Sequence, residues 1–446
     1  MSAPSSADRA VLVEPVTRLV GHIAVPGDKS ISHRAVLIGA LCDGETRVTG
    51  FGRSADTEST IAVVRALGVD VYEHGEDTLR VFGKGLGGPT APETPLDCGN
   101  AGTLVRLLSG ILAGRLGEEF SVTGDESLSA RPMGRIAEPL GRMGAQVETT
   151  DGHLPMTVRG RSLHGIDYVL PVASAQVKSA ILLAGLYADG ETTVVEPAPT
   201  RDHTERMLIA AGAEVSIRSR SVSIRPADRL ALGDVEVPGD FSSAAPFVVA
   251  ATLVPGSELH IHDVNLNPRR TGLLEILERM GARITIYNRR QIGGEPAGDL
   301  EVHSATLVGT RVTPDEVPLA IDELPLFGLA AACARGESRL TGARELRAKE
   351  TDRIEATVDG LRAMGVRARA GDDGFTVTGV PARLRGGRMS SRGDHRLAML
   401  GAVAGLASRD GVRIDEADAV GVSFPGFFGM VDQLRRAAVV VEDDRR

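Results

Sequence analysis

The stretch HRAVLIGALCDGETRVTG at residues 33–50 decides the fold, because the chain repeats its pattern six times. Its clearest copy is SAILLAGLYADGETTVVE at residues 179–196. Each copy is an almost wholly apolar run of helical length, followed by a glycine turn and a strand-like segment. A helix that is apolar on every side must be buried on every side. The other copies begin at residues 104, 243, 326 and 396.

The spacing of these copies indicates a structural repeat. Each copy continues into an amphipathic helix, and five of these helices end in a glycine typical of the residue after a helix C-cap. The pattern predicts six strand–helix–strand–helix–strand units, with the apolar helices inside and the sheets outside. The turn glycines are Gly44, Gly117, Gly190, Gly256, Gly336 and Gly411, and the helix-end glycines are Gly68, Gly144, Gly212, Gly281 and Gly365.

A longer duplication divides the chain into two halves. VPGDKSISHRAVLIGAL at residues 25–41 is echoed by VPGDFSSAAPFVVAATL at residues 237–253. A chain of 446 residues exceeds the size of a single hydrophobic core. We therefore expect an α/β protein of two domains, each with three units.

Composition and charge exclude several classes of protein. With 42% hydrophobic and 24% charged residues, the chain is an ordinary globular protein. Its first residues lack a basic start followed by an apolar run, and no stretch approaches the length of a membrane span, so we expect a cytoplasmic protein. A net charge of -9 argues against nucleic acid or an anionic membrane as a partner. The three cysteines are too scattered for a disulfide framework or a zinc site.

Polar loops precede the six apolar helices. Helix N-termini carry partial positive charge and unpaired N–H groups, so converging N-termini predict an anion site. The loops read GDKSISHR, GNAGT, ASAQVK, GDFSS, IDELP and GDHR.

The first loop has the residues of a phosphate or carboxylate site. Gly27 permits a tight turn, Ser30 or Ser32 can cap the helix, and Lys29 and Arg34 lie beside its positive end. Only four of the 50 basic residues are lysine, and three of those four fall in the polar motifs. Lysine can move a proton, which arginine cannot.

The second loop and the RPMGR segment add cations. Gly102 lacks a Cβ and so permits a ligand to approach the backbone. Arg106 follows one turn later, and Arg131 and Arg135 are four residues apart, which predicts that they share one helical face.

Carboxylates are concentrated in the second half of the chain. Asp322 and Glu323 directly precede an apolar helix, where capping explains one carboxylate but not both. RAKETDR at residues 347–353 places Lys349, Glu350, Asp352 and Arg353 together, which suits proton transfer beside an anion clamp. Arg396 stands at another helix start.

Other motifs have structural explanations. Gly83 to Gly88 spells G-x-G-x-x-G, but the following PTAPETP cannot form the helix of a dinucleotide site, so the segment is interpreted as a turn. The ten histidines show no metal-ligand spacing, although His260 and His262 alternate as on one strand face. We expect no metal and no nucleotide cofactor, and we interpret His33 and His395 as structural.

Together the segments DKSISHR, GNAGT, RPM, SAQ, RAKETDR and DHR resemble the 5-enolpyruvylshikimate-3-phosphate synthases, in order and spacing, over residues 20 to 430. The resemblance implies a two-domain inverse α/β barrel built of six βαβαββ units. It places one domain at 27–238 and a discontinuous second domain at 1–26 plus 239–446, with crossovers near Pro26 and Pro238. It also implies a monomer.

The resemblance further implies a reaction and its residues. The family joins shikimate 3-phosphate to phosphoenolpyruvate by addition and elimination and releases phosphate. Asp322 assisted by Lys349 is the expected base, Glu350 the proton donor to the methylene carbon, and Lys29 the group that neutralises the departing phosphate. The expected ligands of phosphoenolpyruvate are Lys29, Gly102, Arg131, Gln176, Arg353 and Arg396, and Asn100 is also expected to bind substrate. Those of shikimate 3-phosphate are Ser30, Arg34, Ser174, Ala175, Gln176, Arg201, Asp322 and Lys349.

The motifs look most like the class II members, which tolerate the inhibitor glyphosate. NPRR at residues 267–270 departs from the NPTR of that class, and Gly102 stands where tolerant members can have alanine. VSFP at residues 422–425 lacks the lysine that the sensitive class places before its FP. The sequence therefore predicts class II architecture and leaves tolerance open.

Two alternatives remain. UDP-N-acetylglucosamine enolpyruvyl transferase shares the fold and donor, but none of Cys42, Cys98 and Cys333 lies in a loop like the cysteine-bearing loop of that enzyme. A non-catalytic sensor of phosphorylated metabolites would not need Asp322, Lys349 and Glu350 together.

Overall fold

The computed structural model describes residues 10–443 and separates the chain into two compact units. One, here the 27–238 unit, comprises Gly27–Pro238 and Gln291–Glu295. The other, the 239–446 unit, comprises Met1–Pro26, Gly239–Arg290 and Pro296–Arg446. Residues 291–295, expected in the second half, pack with the 27–238 unit. Gly293 there lies so close to the backbone of Glu236 that a Cβ would be 2.0 Å from its carbonyl oxygen.

Six sheets, three in each unit, confirm the predicted α/β class. Every sheet contains one parallel pair of strands. In the 27–238 unit the sheets, in spatial order, are Val235–Glu236, Asp43–Thr49, Thr78–Lys84 and Asp70–His74; Leu96–Asp97, Glu119–Thr123, His153–Arg159 and Gln146–Thr150; and Asp167–Val169, Thr192–Val195, Ser221–Ile224 and Val215–Arg218. In the 239–446 unit they are Arg283–Ile292, Glu295–His303, Glu258–Asn265 and Val20–Ala24; Arg311–Val312, Gly336–Leu340, Gly374–Gly379 and Arg367–Gly371; and Val11–Val13, Val412–Asp415 and Gly387–Ser390.

The apolar runs form helices that are buried almost throughout, as predicted. In the 27–238 unit these are Lys29–Leu41, Gly102–Ala113 and Ala175–Gly185, and in the 239–446 unit Phe241–Leu253, Leu324–Ala332 and His395–Ala407. Each unit has its own core cluster. Both are therefore inverted barrels, with helices inside and sheets outside. The remaining helices are Ala55–Ala66, Glu126–Ser129, Gly134–Arg142, His203–Ala210, Gly272–Arg279, Val317–Ala320, Arg353–Ala363 and Phe427–Asp443, with 3-10 turns Arg344–Ala348 and Ala417–Val422.

Each copy of the V-P-G-D motif is preceded by a strand of one unit and followed by a buried helix of the other unit. Val20–Ala24, which precedes the first buried helix, pairs in parallel with Glu258–Asn265 of the 239–446 unit. Val235–Glu236, near the end of the first half, pairs in parallel with Asp43–Thr49 of the 27–238 unit. The chain must therefore pass between units at residues 26–27 and 238–239, where the two copies of the V-P-G-D motif stand.

The five helix-end glycines adopt the backbone that the repeat predicts. Gly68, Gly144, Gly212, Gly281 and Gly365 all have φ between 85° and 108°. Such angles are strained for residues with a Cβ, so glycine ends each helix and turns the chain into the next strand. Among the described residues no helix is both long and apolar enough to cross a membrane.

Candidate active site

Aspartates, and not the predicted serines, cap the first helix of each Gly-Asp loop. Asp28 accepts a hydrogen bond from Ile31 N at 3.1 Å, so the prediction that Ser30 or Ser32 caps this helix is wrong. Ser32 Oγ instead accepts from Gly52 N at 2.9 Å. Gly27 is required by close approach, because a Cβ there would lie 1.8 Å from the carbonyl oxygen of Gly50.

Lys29, the first residue of the buried helix, contacts a carboxylate that the sequence did not reveal. Its Nζ lies 2.6 Å from Asp56 Oδ2, and the two side chains are 16% and 8% exposed. Asp56 stands in the first turn of the next helix, where a carboxylate is ordinarily explained by the helix dipole. The ion pair holds the ammonium at the start of its helix.

Arg34 is held rigidly inside the 27–238 unit. Its guanidinium donates to Thr204 Oγ1 at 2.7 Å, Ser30 O at 2.8 Å and Ser179 Oγ at 3.1 Å. Burial, together with the positive charge of Arg201, lowers the pKa of Arg34 to about 10. Both arginines were expected to bind shikimate 3-phosphate, and an added anion would offset their mutual repulsion.

A second group of cations surrounds Gly102, at the start of its helix. A Cβ on Gly102 would lie 2.8 Å from both Arg106 Nη1 and Arg131 Nη1. Arg131 donates to Asn100 Oδ1 at 2.7 Å, and Arg106 donates to Gln176 Oε1 at 2.8 Å. The structure thus brings Asn100, Gly102, Arg131 and Gln176 together, with Arg106, the cation noted one turn after Gly102, beside them.

The predicted helical face of Arg131 and Arg135 is wrong. The helix begins at Gly134, so Arg131 lies in the preceding bend. This bend directs the Arg131 side chain to Asn100 instead of along a helix. Proline at position 132 explains the boundary, because the residue before proline disfavours helical backbone.

Ser174, Ala175 and Gln176 occupy the start of the third buried helix. Ser174 Oγ accepts a hydrogen bond from Val177 N at 3.4 Å and caps the helix. Gln176 Nε2 donates to Thr103 Oγ1 at 3.0 Å, which links this helix start to the one at Gly102.

A fully buried charge cluster, unnoticed in the sequence, lies beneath this helix start. Lys178 Nζ is 3.0 Å from Glu196 Oε1 and 2.7 Å from Glu205 Oε1, and the three side chains are at most 2% exposed. Glu205 also acts on Arg34, whose pKa it raises against the effect of burial. The negative charge of Glu205 therefore favours the protonated form of Arg34.

In the 239–446 unit, one buried guanidinium binds three carboxylates. Arg353, 1% exposed, lies 3.2 Å from Asp322 Oδ1, 2.6 Å from Glu350 Oε2 and 2.7 Å from Asp394 Oδ2. Lys349 Nζ is 3.5 Å from the same Asp322 oxygen. Burial alone would lower the pKa of Arg353, but the three carboxylates raise it. Asp322 and Glu350, the predicted base and acid, thus share one cation.

Two Gly-Asp loops of this unit pair their capping aspartate with an arginine. Asp394 caps its helix by accepting from Arg396 N at 2.8 Å while it binds Arg353. Asp240 accepts from Ser242 N at 2.9 Å and from Arg270 Nη2 at 2.6 Å. Glu323, which does not cap the helix it precedes, is buried and accepts from Ser242 Oγ.

One N–H donor of Arg396 is available to a ligand. Its Nη1 donates to Ser242 O at 3.2 Å, while its Nε is buried and has no hydrogen-bond partner among the described residues. Since an unpaired buried donor is costly, this N–H suits an anionic ligand.

The sequence of the chain is similar to those of known proteins along almost its whole length. A sequence profile described as EPSP synthase (3-phosphoshikimate 1-carboxyvinyltransferase) matches residues 13–431. A 3-phosphoshikimate 1-carboxyvinyltransferase of Acidithiobacillus ferrooxidans is 51% identical, with 95% of this chain and 97% of that protein covered. One of Alkalilimnicola ehrlichii is 52% identical, with 93% of each covered.

Solved structures give the same result. The EPSP synthase of Acinetobacter baumannii superposes with a TM-score of 0.84 at 44% identity, covering 95% of this chain and 98% of that one. The enolpyruvyl transferase NikO of Streptomyces tendae superposes with a TM-score of 0.76 at 19% identity, covering 96% and 97%, and so shares the fold.

Proposed function

The chain belongs to the EPSP synthase family, and we propose that its two units divide the work of the 3-phosphoshikimate 1-carboxyvinyltransferase reaction. This enzyme of the shikimate pathway transfers the enolpyruvyl group of phosphoenolpyruvate to the 5-hydroxyl of shikimate 3-phosphate and releases phosphate. The 27–238 unit supplies most of the groups that bind anions. The 239–446 unit supplies the acid and base.

The charge of the two substrates supports the assignment of anion binding to the 27–238 unit. Counting about -1.5 to -2 for each phosphate and -1 for each carboxylate, the two substrates carry roughly six negative charges. We assign phosphoenolpyruvate to Lys29, Gly102, Arg131, Gln176 and Arg396, where guanidinium forks match its carboxylate and phosphate.

Shikimate 3-phosphate is assigned to a second set of groups. Each charge-assisted hydrogen bond contributes about 1.5 to 3 kcal/mol, so a few suffice for selective binding. The proposed ligands are Ser30, Arg34, Ser174, Ala175, Gln176, Arg201, Asp322 and Lys349. Asn100, which accepts a hydrogen bond from Arg131, is proposed to bind substrate as well.

The contacts of Arg353 carry the mechanistic part of the proposal. Asp322 takes the proton of the 5-hydroxyl as its oxygen bonds to carbon 2 of phosphoenolpyruvate, and Glu350 gives a proton to the methylene carbon. In the second step the carbon–oxygen bond to phosphate breaks, and Glu350 takes a proton back from the methyl group. Lys29 neutralises the departing phosphate, which takes up the proton that Asp322 received, so that Asp322 and Glu350 return to their starting states. Arg353, 3.2 Å and 2.6 Å from the two carboxylates, fixes their orientation, and its binding of phosphoenolpyruvate stays a prediction.

The cysteines disfavour the UDP-N-acetylglucosamine alternative. Burial raises the pKa of Cys42 to about 11 and that of Cys333 to about 12, and it also raises the pKa of Cys98. Thiols that resist ionisation are poor nucleophiles and acids. A sensor that only binds would not need the pair formed by Asp322 and Glu350.

Phosphate release by the purified chain tests the proposal. Release should require both phosphoenolpyruvate and shikimate 3-phosphate, and UDP-N-acetylglucosamine should not replace the latter. Asp322→Asn should lower kcat by about 10²- to 10⁴-fold, the usual contribution of general base catalysis. Asp359→Asn, an exposed aspartate of the same unit, should leave kcat unchanged. Release with the nucleotide sugar alone, or equal rates in the two variants, would contradict the assignment.

We further propose that the enzyme acts as a cytoplasmic monomer and that the reaction uses neither metal nor cofactor. The described cations and carboxylates account for every step above. Sedimentation of the active enzyme as a dimer, or loss of activity in chelator-treated enzyme whose thermal unfolding is unchanged, would count against these points.

A further inference from the structure

One outward face of a sheet in the 239–446 unit collects four of the ten histidines of the chain. The central strand Glu258–Asn265 pairs in parallel with Val20–Ala24 and antiparallel with Glu295–His303. Side chains alternate between faces along each strand. Leu259 and Ile261 are buried in the core, so the alternate residues Glu258, His260 and His262 point outward.

The register places metal-binding side chains in adjacent rows across three strands. His260 stands opposite His22 on one side and Glu301 on the other, and Glu258 stands opposite His303. His262 follows two residues after His260, beside Asp299. Because the strands come from distant parts of the sequence, this cluster has no linear spacing that a motif could reveal.

The imidazole rings are parallel and close. His22 and His260 stack with centroids 4.5 Å apart, and His22 and His262 with centroids 5.2 Å apart. His22 Nδ1 lies 3.0 Å from His262 Nε2. Two nitrogens bound to one tetrahedral Zn²⁺ at 2.0–2.1 Å stand about 3.3 Å apart, so a small movement would fit this pair to one ion.

A second group of ligand atoms lies beside this pair on the same face. Glu258, His260 and Glu301 each offer one ligand atom, and these three atoms lie within 4.8 Å of one another. His303 Nε2 bonds Glu301 Oε1 at 2.7 Å, in the manner of a second-shell partner that orients a ligand. Imidazole and carboxylate oxygen are the ligands that Zn²⁺ accepts in proteins.

Asp299 has an orienting role in the same cluster. Its Oδ2 lies 3.4 Å from His262 Nδ1. The backbone N–H of Asp263 and the side chains of Asn288 and Arg290 donate hydrogen bonds to the Asp299 carboxylate and hold it in place. The position of this carboxylate at Nδ1 leaves Nε2 of His262 to face His22 and an ion, as carboxylate–histidine–zinc arrangements do.

We propose that this face binds one Zn²⁺ or a similar divalent transition metal through His22 and His262, and that His260 and Glu301 turn toward the ion as further ligands. The ion joins the strand Val20–Ala24 to the sheet of the 239–446 unit. None of these ligands is assigned to the transferase reaction, so the site serves stability and not catalysis.

Calorimetric titration of the full chain with Zn²⁺ alone tests this site. The wild type should bind one ion that His22→Ala/His262→Ala loses or binds at least about 10- to 100-fold more weakly, since even second-shell changes cost that much. His74→Ala/His164→Ala removes two exposed histidines of the 27–238 unit and should leave binding unchanged. Mg²⁺ should give no comparable heat, because imidazole is not its preferred ligand.

Three outcomes would overturn the proposal. These are unaltered Zn²⁺ affinity in His22→Ala/His262→Ala, an equal loss in the control, or a loss caused instead by His203→Gln. That last residue belongs to the buried group Asp202, His203 and Glu295, the other possible metal cluster among the described residues. If the double variant does not fold, Co²⁺ spectra of folded His260→Gln replace it, and a wild-type tetrahedral band that persists unchanged would equally overturn the site.

Discussion

The Gly102→Ala substitution tests the proposed phosphoenolpyruvate site. A Cβ at this position would lie 2.8 Å from Nη1 of both Arg106 and Arg131, whereas ordinary contact begins at 3.4 Å. Each guanidinium tip must therefore move about 0.6 Å to restore normal contact. Both tips belong to flexible side chains, so the protein should fold normally, and alanine within a helix favours folding by roughly 0.5–1 kcal/mol relative to glycine.

The expected cost falls on binding. Displacing Arg131, a proposed ligand whose charge-assisted hydrogen bonds contribute about 1.5–3 kcal/mol each, and Arg106, which positions Gln176, should weaken phosphoenolpyruvate binding by about 1–2 kcal/mol. That corresponds to a roughly 5- to 30-fold rise in KM for phosphoenolpyruvate. Inhibition by glyphosate should weaken as well, because the methyl group occupies space at the same site.

Steady-state phosphate release gives the KM values, and thermal unfolding reports folding. Gly141→Ala is the matched control, since a Cβ at that helical glycine meets nothing within 4 Å, and its KM should not change. A folded Gly102→Ala enzyme with unchanged KM for phosphoenolpyruvate and unchanged inhibition would refute the reasoning.

Three further predictions concern buried charges. Lys178→Met should destabilise the protein by about 3–5 kcal/mol in denaturant unfolding, because it leaves two buried glutamates without their cation. Lys84→Met, at an exposed position, should change the free energy of unfolding little. Similar losses of unfolding free energy in the two variants would contradict the buried ion pairs. Asp394→Asn keeps the helix cap but leaves the charge of Arg353 to the carboxylates of Asp322 and Glu350. The acidic limb of the kcat–pH profile should therefore move to lower pH. An unmoved limb would exclude this positioning role of Asp394. Burial, aided by neighbouring cations, keeps the pKa of His33 well below 6.5, so the unfolded state takes up a proton before the folded state as pH falls. The free energy of unfolding of the wild type should therefore decrease from pH 7.5 to 5.5 relative to that of His33→Gln. Parallel curves of unfolding free energy against pH would contradict this.

The repeated apolar helices and helix-end glycines were predictable because they are local. Burial on all sides leaves a continuous apolar run, and a left-handed helix end leaves a glycine, as at Gly144. Helix starts were predicted less well. Aspartate and serine both cap, so the sequence GDKSIS could not show that Asp28 accepts the hydrogen bond.

Contacts between distant segments escaped the sequence. Lys29 meets Asp56 and Lys178 meets Glu205 across separate elements, and in each case the carboxylate stands in a first helical turn, where it needs no special explanation. The histidines of the sheet face were missed for the same reason, since His22 and His262 are 240 residues apart. Register across strands, which brings them together, depends on the whole fold.

Turnover in heavy water tests the central claim most directly, namely that Glu350, held by buried Arg353, moves the proton at the methylene carbon. Wild-type enzyme should place deuterium in the methylene group of the product, and Glu350→Gln should suppress this exchange while calorimetry shows shikimate 3-phosphate still bound. Glu355→Gln, a partly exposed glutamate two residues beyond Arg353, should exchange like the wild type. A wild-type product without deuterium, or undiminished exchange in Glu350→Gln, would contradict the account.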